Sequence, residues 1–232
     1  MNIYFIDTLE LTYSSDFDDI IKLTKNFKMV DPKKGAGNKE FISTELSDMG
    51  IIIKTRRSSK AELYKNSSKY KLVLRINPNK FYKPYMKTEH ISNIIEFCDM
   101  VERLDMQIQY CFSGLTIDDF EITRVDLTED IHGIPEDKIT QYIRIMRQLY
   151  LTLGFHHNKK LEENTEGFDP DSSFNAVNDS KKVEFVVYNK GHEVRNKKNS
   201  SDEQKEHYKD TMRVEVRCRK KFADKLSEKA YT

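Results

Sequence analysis

The stretch FEITRVDLTED at Phe120–Asp130 alternates apolar and polar residues, which is the pattern of a β-strand with two different faces. Val125 and Leu127 would point to one face, because side chains alternate along a strand. The opposite face would carry Arg124, Asp126, Thr128 and Asp130. A strand with such a row of charges is not part of an ordinary apolar core, so this row is a candidate functional surface.

Two later segments predict strands with a similar charged row. In VEFVVYNK (Val183–Lys190), one face would carry Glu184, Val186, Tyr188 and Lys190. In MRVEVRCRK (Met212–Lys220), one face would carry Arg213, Glu215, Arg217 and Arg219. If the three strands are neighbours, one sheet face holds Asp126, Glu184 and Glu215, surrounded by basic residues and a tyrosine.

Composition limits the class of protein. The 232 residues are 33% charged and 11% aromatic, which indicates a folded chain with enough apolar material for a core. The net charge of +1 says nothing about a partner, but its distribution is uneven: residues 181–232 have a net charge of +6 and residues 115–180 a net charge of −8. The three cysteines have neither zinc-site nor disulfide spacing, which favours a reducing cytoplasm. No stretch predicts a signal peptide or a membrane span.

The order of elements predicts a repeat. The sequence predicts the order strand, helix, strand, strand, helix twice. In addition, LELT at Leu9–Thr12 resembles VDLT at Val125–Thr128. We therefore predict an α+β fold in which a duplicated βαββα unit forms a mostly antiparallel sheet, with helices on one face and the charged face open. The predicted halves are residues 1–114 and residues 115–232, and the second carries the site.

Helices are predicted after Ser15, from Thr88, at Pro135–Leu153 and from Lys221. The helix from Thr88 is predicted to bury Ile91, Ile94, Ile95, Cys98, Val101 and Leu104. Three polar segments are predicted to be loops: Lys28–Glu40, Asp169–Asn178 and Glu193–Asp210.

Three carboxylates on adjacent strands repel one another unless a cation lies between them. Asp126, Glu184 and Glu215 are therefore candidate ligands for Mg²⁺ or Mn²⁺, which prefer oxygen ligands. The alternative is that Arg124, Arg213 and Arg217 form ion pairs with these carboxylates on a solvated sheet face.

Tyr188 and Lys190 are the second candidate pair. A tyrosine beside a metal ion could attack a phosphodiester, while a lysine holds the phosphate. The alternative is an ordinary strand tyrosine whose ring packs against its neighbours.

The motifs RVDLTED, VEFVVYNKGHE and MRVEVRCRKK together resemble those of rolling-circle replication initiators, both the plasmid type and the related phage gene II and gene X proteins. That family shows an R-x-D-x-x-x-D-like strand, matched here at Arg124, Asp126 and Asp130. A later Y-[DN]-K-x-x-E is matched from Tyr188 to Glu193, and a final R-[IV]-E-[VL] strand is matched from Arg213 to Val216.

The resemblance implies metal-dependent nicking of one DNA strand at an origin, with a tyrosine joined to the 5′ phosphate. The plasmid members are expected to place their nucleophile about fourteen residues before the tyrosine of Tyr-Asp-Lys, where this chain has Phe174. Either another tyrosine acts (Tyr188, Tyr208 or Tyr231), or the chain binds DNA without cutting it.

Three hypotheses follow: a DNA nicking and joining initiator, a non-nicking DNA-binding module of the same fold, and a structural or protein-binding domain with a salt-bridged sheet face. The expected partner is DNA, as a single strand or an origin hairpin, with no membrane and with a homodimer as one option. The residues expected to contact DNA are Arg124, Arg213, Arg217, Arg219, Lys54, Arg56 and Arg75.

Overall fold

The computed structural model describes residues 5–30, 39–58, 70–86, 88–149, 155–157, 172–178 and 182–219. The strands are β1 Phe5–Ser15, β2 Lys28–Val30, β3 Lys39–Ile42, β4 Ile51–Arg57, β5 Tyr70–Ile76, β6 Glu121–His132, β7 Phe155–His157, β8 Ser173–Asn178, β9 Val183–Asn189 and β10 Thr211–Arg219. The helices are α1 Phe17–Leu23, α2 Thr44–Asp48, α3 Pro78–Tyr82, α4 Ile94–Cys111, α5 Glu136–Leu149, α6 Lys190–Asn196 and α7 Asp202–His207.

The chain forms two compact units. The first unit is Ile6–Arg124, and the second unit is Val125–Thr232 together with Met1–Phe5, so that the division falls within β6. In the described part of the first unit the strands follow the order β2-β3-β4-β5-β1. In the described part of the second unit the order is β7-β8-β9-β10-β6.

The strand orders of the two units therefore match. In each unit a helix follows the strand that comes first in the sequence: α1 follows β1 in the first unit, and α5 follows β6 in the second. Every strand pair whose register is described is antiparallel. The predicted α+β fold with a mostly antiparallel sheet is confirmed. Among the described residues each unit has five strands, counting β6 in the second, where the sequence pattern predicted three.

Several of the additional elements lie wholly or partly in segments that were predicted to be loops. Residues at Lys28–Val30 and Lys39–Ile42 form β2 and β3, and the polar segment SFNAVN forms β8. The segment from Glu193 to Asp210 contains most of α6 and all of α7. The start of α7 had a sequence signal, since Ser201 and Gln204 form a capping box. The helix predicted from Lys221 lies outside the described residues.

The second unit has one apolar and one polar sheet face. Ile139 and Ile143 of α5 pack against Phe174, Val187 and Met212, and all five are buried. The register explains this face, because Phe174 of β8 lies directly across from Val187 of β9. Alternation then places the intervening residues of these strands on the opposite, polar face.

The helix α4 corrects one prediction. It begins at Ile94, where the Asn93 side chain accepts a 2.9 Å hydrogen bond from the backbone N–H of Glu96, and not at Thr88. It buries Met100, Leu104 and Ile108, which follow one another at intervals of four residues. The predicted inner residues Ile94, Ile95 and Cys98 are exposed. The helix thus contains two overlapping series of apolar residues. The series that packs against the core is Met100, Leu104 and Ile108, and not the predicted one.

We expect Leu104→Ala to lower the free energy of unfolding by about 2–5 kcal/mol, because it leaves a cavity at a fully buried position. Ile95→Ala is the matched control on the same helix: its side chain is 78% exposed, so the expected change is within about 0.5 kcal/mol. Urea denaturation measures both. A larger loss for Ile95→Ala than for Leu104→Ala would mean that the helix buries the face predicted from the sequence.

Candidate active site on the charged sheet face

The polar face of the second unit, here called the charged face, is built by alternation along four strands. On β10, Arg213, Glu215 and Arg217 lie directly across from Tyr188, Val186 and Glu184 of β9. On β8, Asn175 lies across from the same Val186. From β6, Asp126 and Asp130 reach arginines of β10. The three charged strands predicted from the sequence are therefore brought together.

Three carboxylates form the centre of the charged face. Asp126, Glu184 and Glu215 are each no more than 4% exposed. Burial removes the water that would otherwise stabilise their charge, so each needs a hydrogen-bonding or cationic partner. We call these three residues the carboxylate cluster.

The guanidinium of Arg217 lies among all three carboxylates. It is 2.8 Å from Oε2 of Glu215, 3.7 Å from Oε1 of Glu184 and 4.0 Å from Oδ2 of Asp126. Burial works against the charged guanidinium, but the negative charges of Glu215, Glu184 and Asp126 outweigh this and raise the pKa of Arg217. The salt-bridge alternative considered for this face thus describes the geometry at Arg217.

Two further oxygens at the charged face are buried without a hydrogen-bond partner among the described residues: Oδ1 of Asn175 and Oγ1 of Thr128. The amide nitrogen of Asn175 is engaged, because it donates to Oε1 of Glu184 at 2.7 Å. An unsatisfied buried oxygen is costly, and its lone pairs could bind a cation or accept a hydrogen bond from a hydroxyl group.

These oxygens fit a divalent ion by their chemistry, since Mg²⁺ and Mn²⁺ prefer carboxylate and amide oxygens. Within the described residues, no group of three or more His, Cys, Asp or Glu side chains is arranged to hold a metal ion. Arg217 lies among the three carboxylates instead. The metal site at Asp126, Glu184 and Glu215 therefore stays a prediction, and it requires that Arg217 move.

Tyr188 is joined directly to the carboxylate cluster. Its hydroxyl donates a 2.7 Å hydrogen bond to Oε1 of Glu215. Burial raises the pKa of Tyr188 well above its usual value; Glu215 and Glu193 add to the effect, while Arg213 opposes it. The phenol is therefore neutral near pH 7, and Glu215 is placed to accept its proton.

Lys190 lies beside Tyr188. Its ammonium is 5.7 Å from the ring centroid of Tyr188 and 5.4 Å from that of Tyr208. It also forms a 2.7 Å ion pair with Glu193. Burial and the nearby charge of Arg213 lower the pKa of Lys190, despite the opposing effect of Glu193.

The turn from β9 into α6 fixes the position of Lys190. The Asn189 side chain caps α6 by accepting a 2.8 Å hydrogen bond from the backbone N–H of His192. Two residues after Asn189 lies Gly191, where an added Cβ would be 2.7 Å from the carbonyl oxygen of Tyr208. The YNKG sequence thus combines a cap, a cation and a close backbone approach that only glycine permits.

Other predicted residues have different surroundings. Arg213 is buried and forms two 2.6 Å hydrogen bonds with Asp130, so its guanidinium orients the strand pair β6–β10. Arg219 is more exposed and lies 3.3 Å from Glu184. Arg124 falls in the first unit, at its last residue. Their roles in DNA binding stay predictions.

The first unit carries the remaining predicted cations on one sheet face. Ile52, Lys54 and Arg56 of β4 lie across from Arg75, Val73 and Lys71 of β5. Arg56 and Arg75 are exposed and Lys54 is half-buried. The register therefore groups Lys54, Arg56 and Arg75 with Lys71, a buried lysine that was not among the predicted DNA contacts.

Phe174, at the place expected for a nucleophile in the plasmid pattern, belongs to the apolar core beneath α5. It points away from the charged face, because Phe174 pairs with Val187 while Asn175 and Tyr188 lie on the other side. Asn175 was missed because β8 had been predicted to be a loop. The alternation in SFNAVN was the signal that could have identified it.

Comparison with known proteins identifies the family. The chain is similar to the rolling circle replication initiator protein from Geobacillus stearothermophilus, at 12% identity and a TM-score of 0.41, over 94% of this chain and 75% of that one. No curated protein matches the chain. The Phage_CRI family model, which describes the N-terminal part of a replication-associated protein, matches residues 6–232. Because that match spans almost the entire sequence, the resemblance is confirmed, and this protein belongs to the Phage_CRI family of replication-associated proteins.

Proposed function

We propose that this protein initiates rolling-circle replication by nicking and rejoining one strand of origin DNA, with Tyr188 as the nucleophile. The observation that carries the proposal is the 2.7 Å hydrogen bond from Tyr188 to Glu215, inside a cluster of three buried carboxylates. Membership of a replication-associated family supports the substrate class.

The chemistry is a transesterification. The Oη atom of Tyr188 attacks the scissile phosphorus, the bond from phosphorus to the 3′ oxygen breaks, and the 5′ phosphate becomes joined to the tyrosine. Because its pKa is raised, the phenol must lose its proton during attack, and Glu215 accepts it. The departing 3′ oxygen takes up a proton from water, which balances the proton that Glu215 removes from the phenol. The resulting 3′ hydroxyl can then prime synthesis, and the reverse reaction rejoins the strand.

Lys190 would hold a non-bridging oxygen of the phosphate, since its ammonium lies beside the Tyr188 ring. A divalent ion bound at Asp126, Glu184 and Glu215 would polarise the scissile phosphate. Asn175 and Thr128 are the further oxygen donors of this site. These groups stabilise the negative charge that develops on the phosphate.

A second candidate function is DNA binding without nicking. It is favoured by Phe174, which occupies the position of the plasmid nucleophile and is part of the core. Among the described residues, no helix has the length and apolar character needed to cross a bilayer. Both candidates predict binding to DNA, and only the first predicts a covalent product.

The decisive experiment is a covalent-adduct assay. The protein is incubated with a pool of labelled single-stranded DNA and Mn²⁺, denatured in SDS, and examined for label that migrates with the protein. We expect an adduct that mass spectrometry maps to Tyr188, and we expect Tyr188→Phe to abolish it because a phenyl ring cannot attack.

Tyr142→Phe is the matched control, because Tyr142 is an exposed tyrosine on the outer side of α5. It should form the adduct at the level of the unchanged protein. An adduct that persists in Tyr188→Phe would exclude Tyr188 as the nucleophile. DNA binding with no adduct, on DNA that contains the origin, would favour the second candidate.

DNA binding by the first unit is tested by salt dependence. Replacing Arg56 and Arg75 together with alanine should lower the slope of log affinity against log salt by about 1.4, since each phosphate contact on single-stranded DNA contributes about 0.7. Fluorescence anisotropy with a labelled oligonucleotide over a range of salt concentrations measures this slope.

Arg57→Ala is the control for charge. Arg57 adjoins Arg56 on β4 but lies on the opposite sheet face, across from Tyr70. We expect its slope to match that of the unchanged protein. Equal changes for each removed charge in the two variants would indicate a general charge effect, and no change in either would remove this face from the DNA-binding surface.

A further inference from the structure

We propose that Arg217 is a built-in counter-ion of the carboxylate cluster, which occupies the place of a divalent cation and moves to a DNA phosphate when the metal binds. The inference rests on the metal site of the proposed function and adds a coupling between metal and DNA. It concerns when the site can bind metal, which the nicking chemistry leaves open.

The three carboxylates carry three negative charges in a buried site, where repulsion between like charges is poorly screened. Arg217 contacts all three and contributes a single positive charge. Together with Arg219 beside Glu184, it makes the cluster tolerable without metal. A divalent ion would place two positive charges where Arg217 places one.

Arg217 and a metal ion would compete for the same carboxylate oxygens. Two nitrogens of Arg217 donate to Oε2 of Glu215, at 2.8 and 3.1 Å. Another nitrogen lies 3.7 Å from Oε1 of Glu184, which also accepts from Asn175. A metal ion that used these oxygens would have to displace the guanidinium, since a cation and Arg217 would repel each other at this distance.

The exposure of Arg217 sets the direction in which its guanidinium can leave the cluster. Its side chain is 21% exposed, whereas those of Asp126, Glu184 and Glu215 are between 2 and 6% exposed. The guanidinium therefore lies on the solvent side of the cluster, at the surface that DNA would approach. A phosphate there offers the planar, bidentate partner that arginine prefers.

The consequence is that metal and DNA assist each other. DNA that holds Arg217 outside the cluster removes the competitor and raises the affinity for metal. By thermodynamic linkage, metal raises the affinity for DNA by the same factor. The site would then bind its metal mainly when a DNA strand is present.

The test measures Mn²⁺ affinity by isothermal titration calorimetry, with and without a short single-stranded oligonucleotide, and with the oligonucleotide alone as reference. Without DNA, we expect Arg217→Gln to bind Mn²⁺ about tenfold more tightly than the unchanged protein, which is a coupling of ordinary size. The oligonucleotide should raise the Mn²⁺ affinity of the unchanged protein and have little effect on Arg217→Gln.

Arg103→Gln is the matched control, because Arg103 is an exposed arginine of α4 whose ion pair with Asp99 lies within that helix. Its Mn²⁺ affinity should stay near that of the unchanged protein. Equal or weaker Mn²⁺ binding by Arg217→Gln would overturn the proposal. So would DNA that raises the Mn²⁺ affinity of both proteins equally.

The loss of Arg217 leaves three buried carboxylates without their shared cation, so the variant is expected to melt at a lower temperature without metal. Mn²⁺ should restore its melting temperature by more than it raises that of the unchanged protein, because a ligand of the folded state stabilises by mass action. If the variant does not fold even with Mn²⁺, the comparison of the unchanged protein with and without DNA still decides the proposal.

The proposed function can fail separately. If Mn²⁺ binding follows these expectations and no covalent adduct forms, the role of Arg217 as counter-ion is supported and the nicking reaction is excluded. An adduct that forms normally in a protein that does not bind Mn²⁺ would remove the counter-ion proposal and keep Tyr188 as the nucleophile.

Discussion

The charged face depends on one constraint: three buried carboxylates must share a cation. Asp126, Glu184 and Glu215 come from three strands, and their repulsion would force those strands apart without compensation. In this structure Arg217 supplies the compensation. The strands β6, β9 and β10 therefore lie side by side with a positive charge between their acidic residues.

The same constraint places the nucleophile candidate. Glu215 divides its two oxygens between Tyr188, which donates to one of them, and Arg217, which donates to the other. The tyrosine hydroxyl is thus held at the edge of the cluster and in contact with a proton acceptor. A change in the partner of Glu215 would alter both the charge of the cluster and the proton affinity of the phenol, so the two features act as one unit.

Strand periodicity predicted most of the fold and much of the site. Glu184, Val186 and Tyr188 of β9 occur on one face with Arg213, Glu215 and Arg217 of β10, as expected, because successive side chains of a strand point to opposite faces. Helix faces were harder to predict. In α4 two apolar series compete, and only packing shows that Met100 and Ile108 are buried while Ile95 is exposed. Short polar strands such as β8 were missed because their stability comes from pairing with β9.

The sequence by itself determined the α+β class, the charged rows and the residue types of the candidate site, since these follow from local alternation and composition. The tertiary structure decided which charges meet. Cross-strand register brings Arg217 opposite Glu184 and Arg213 opposite Tyr188, across about thirty residues of chain, and local periodicity contains no information on that register. The tertiary structure also placed Asn175 at the site and Phe174 in the core, because adjacent residues of one strand face opposite sides of the sheet.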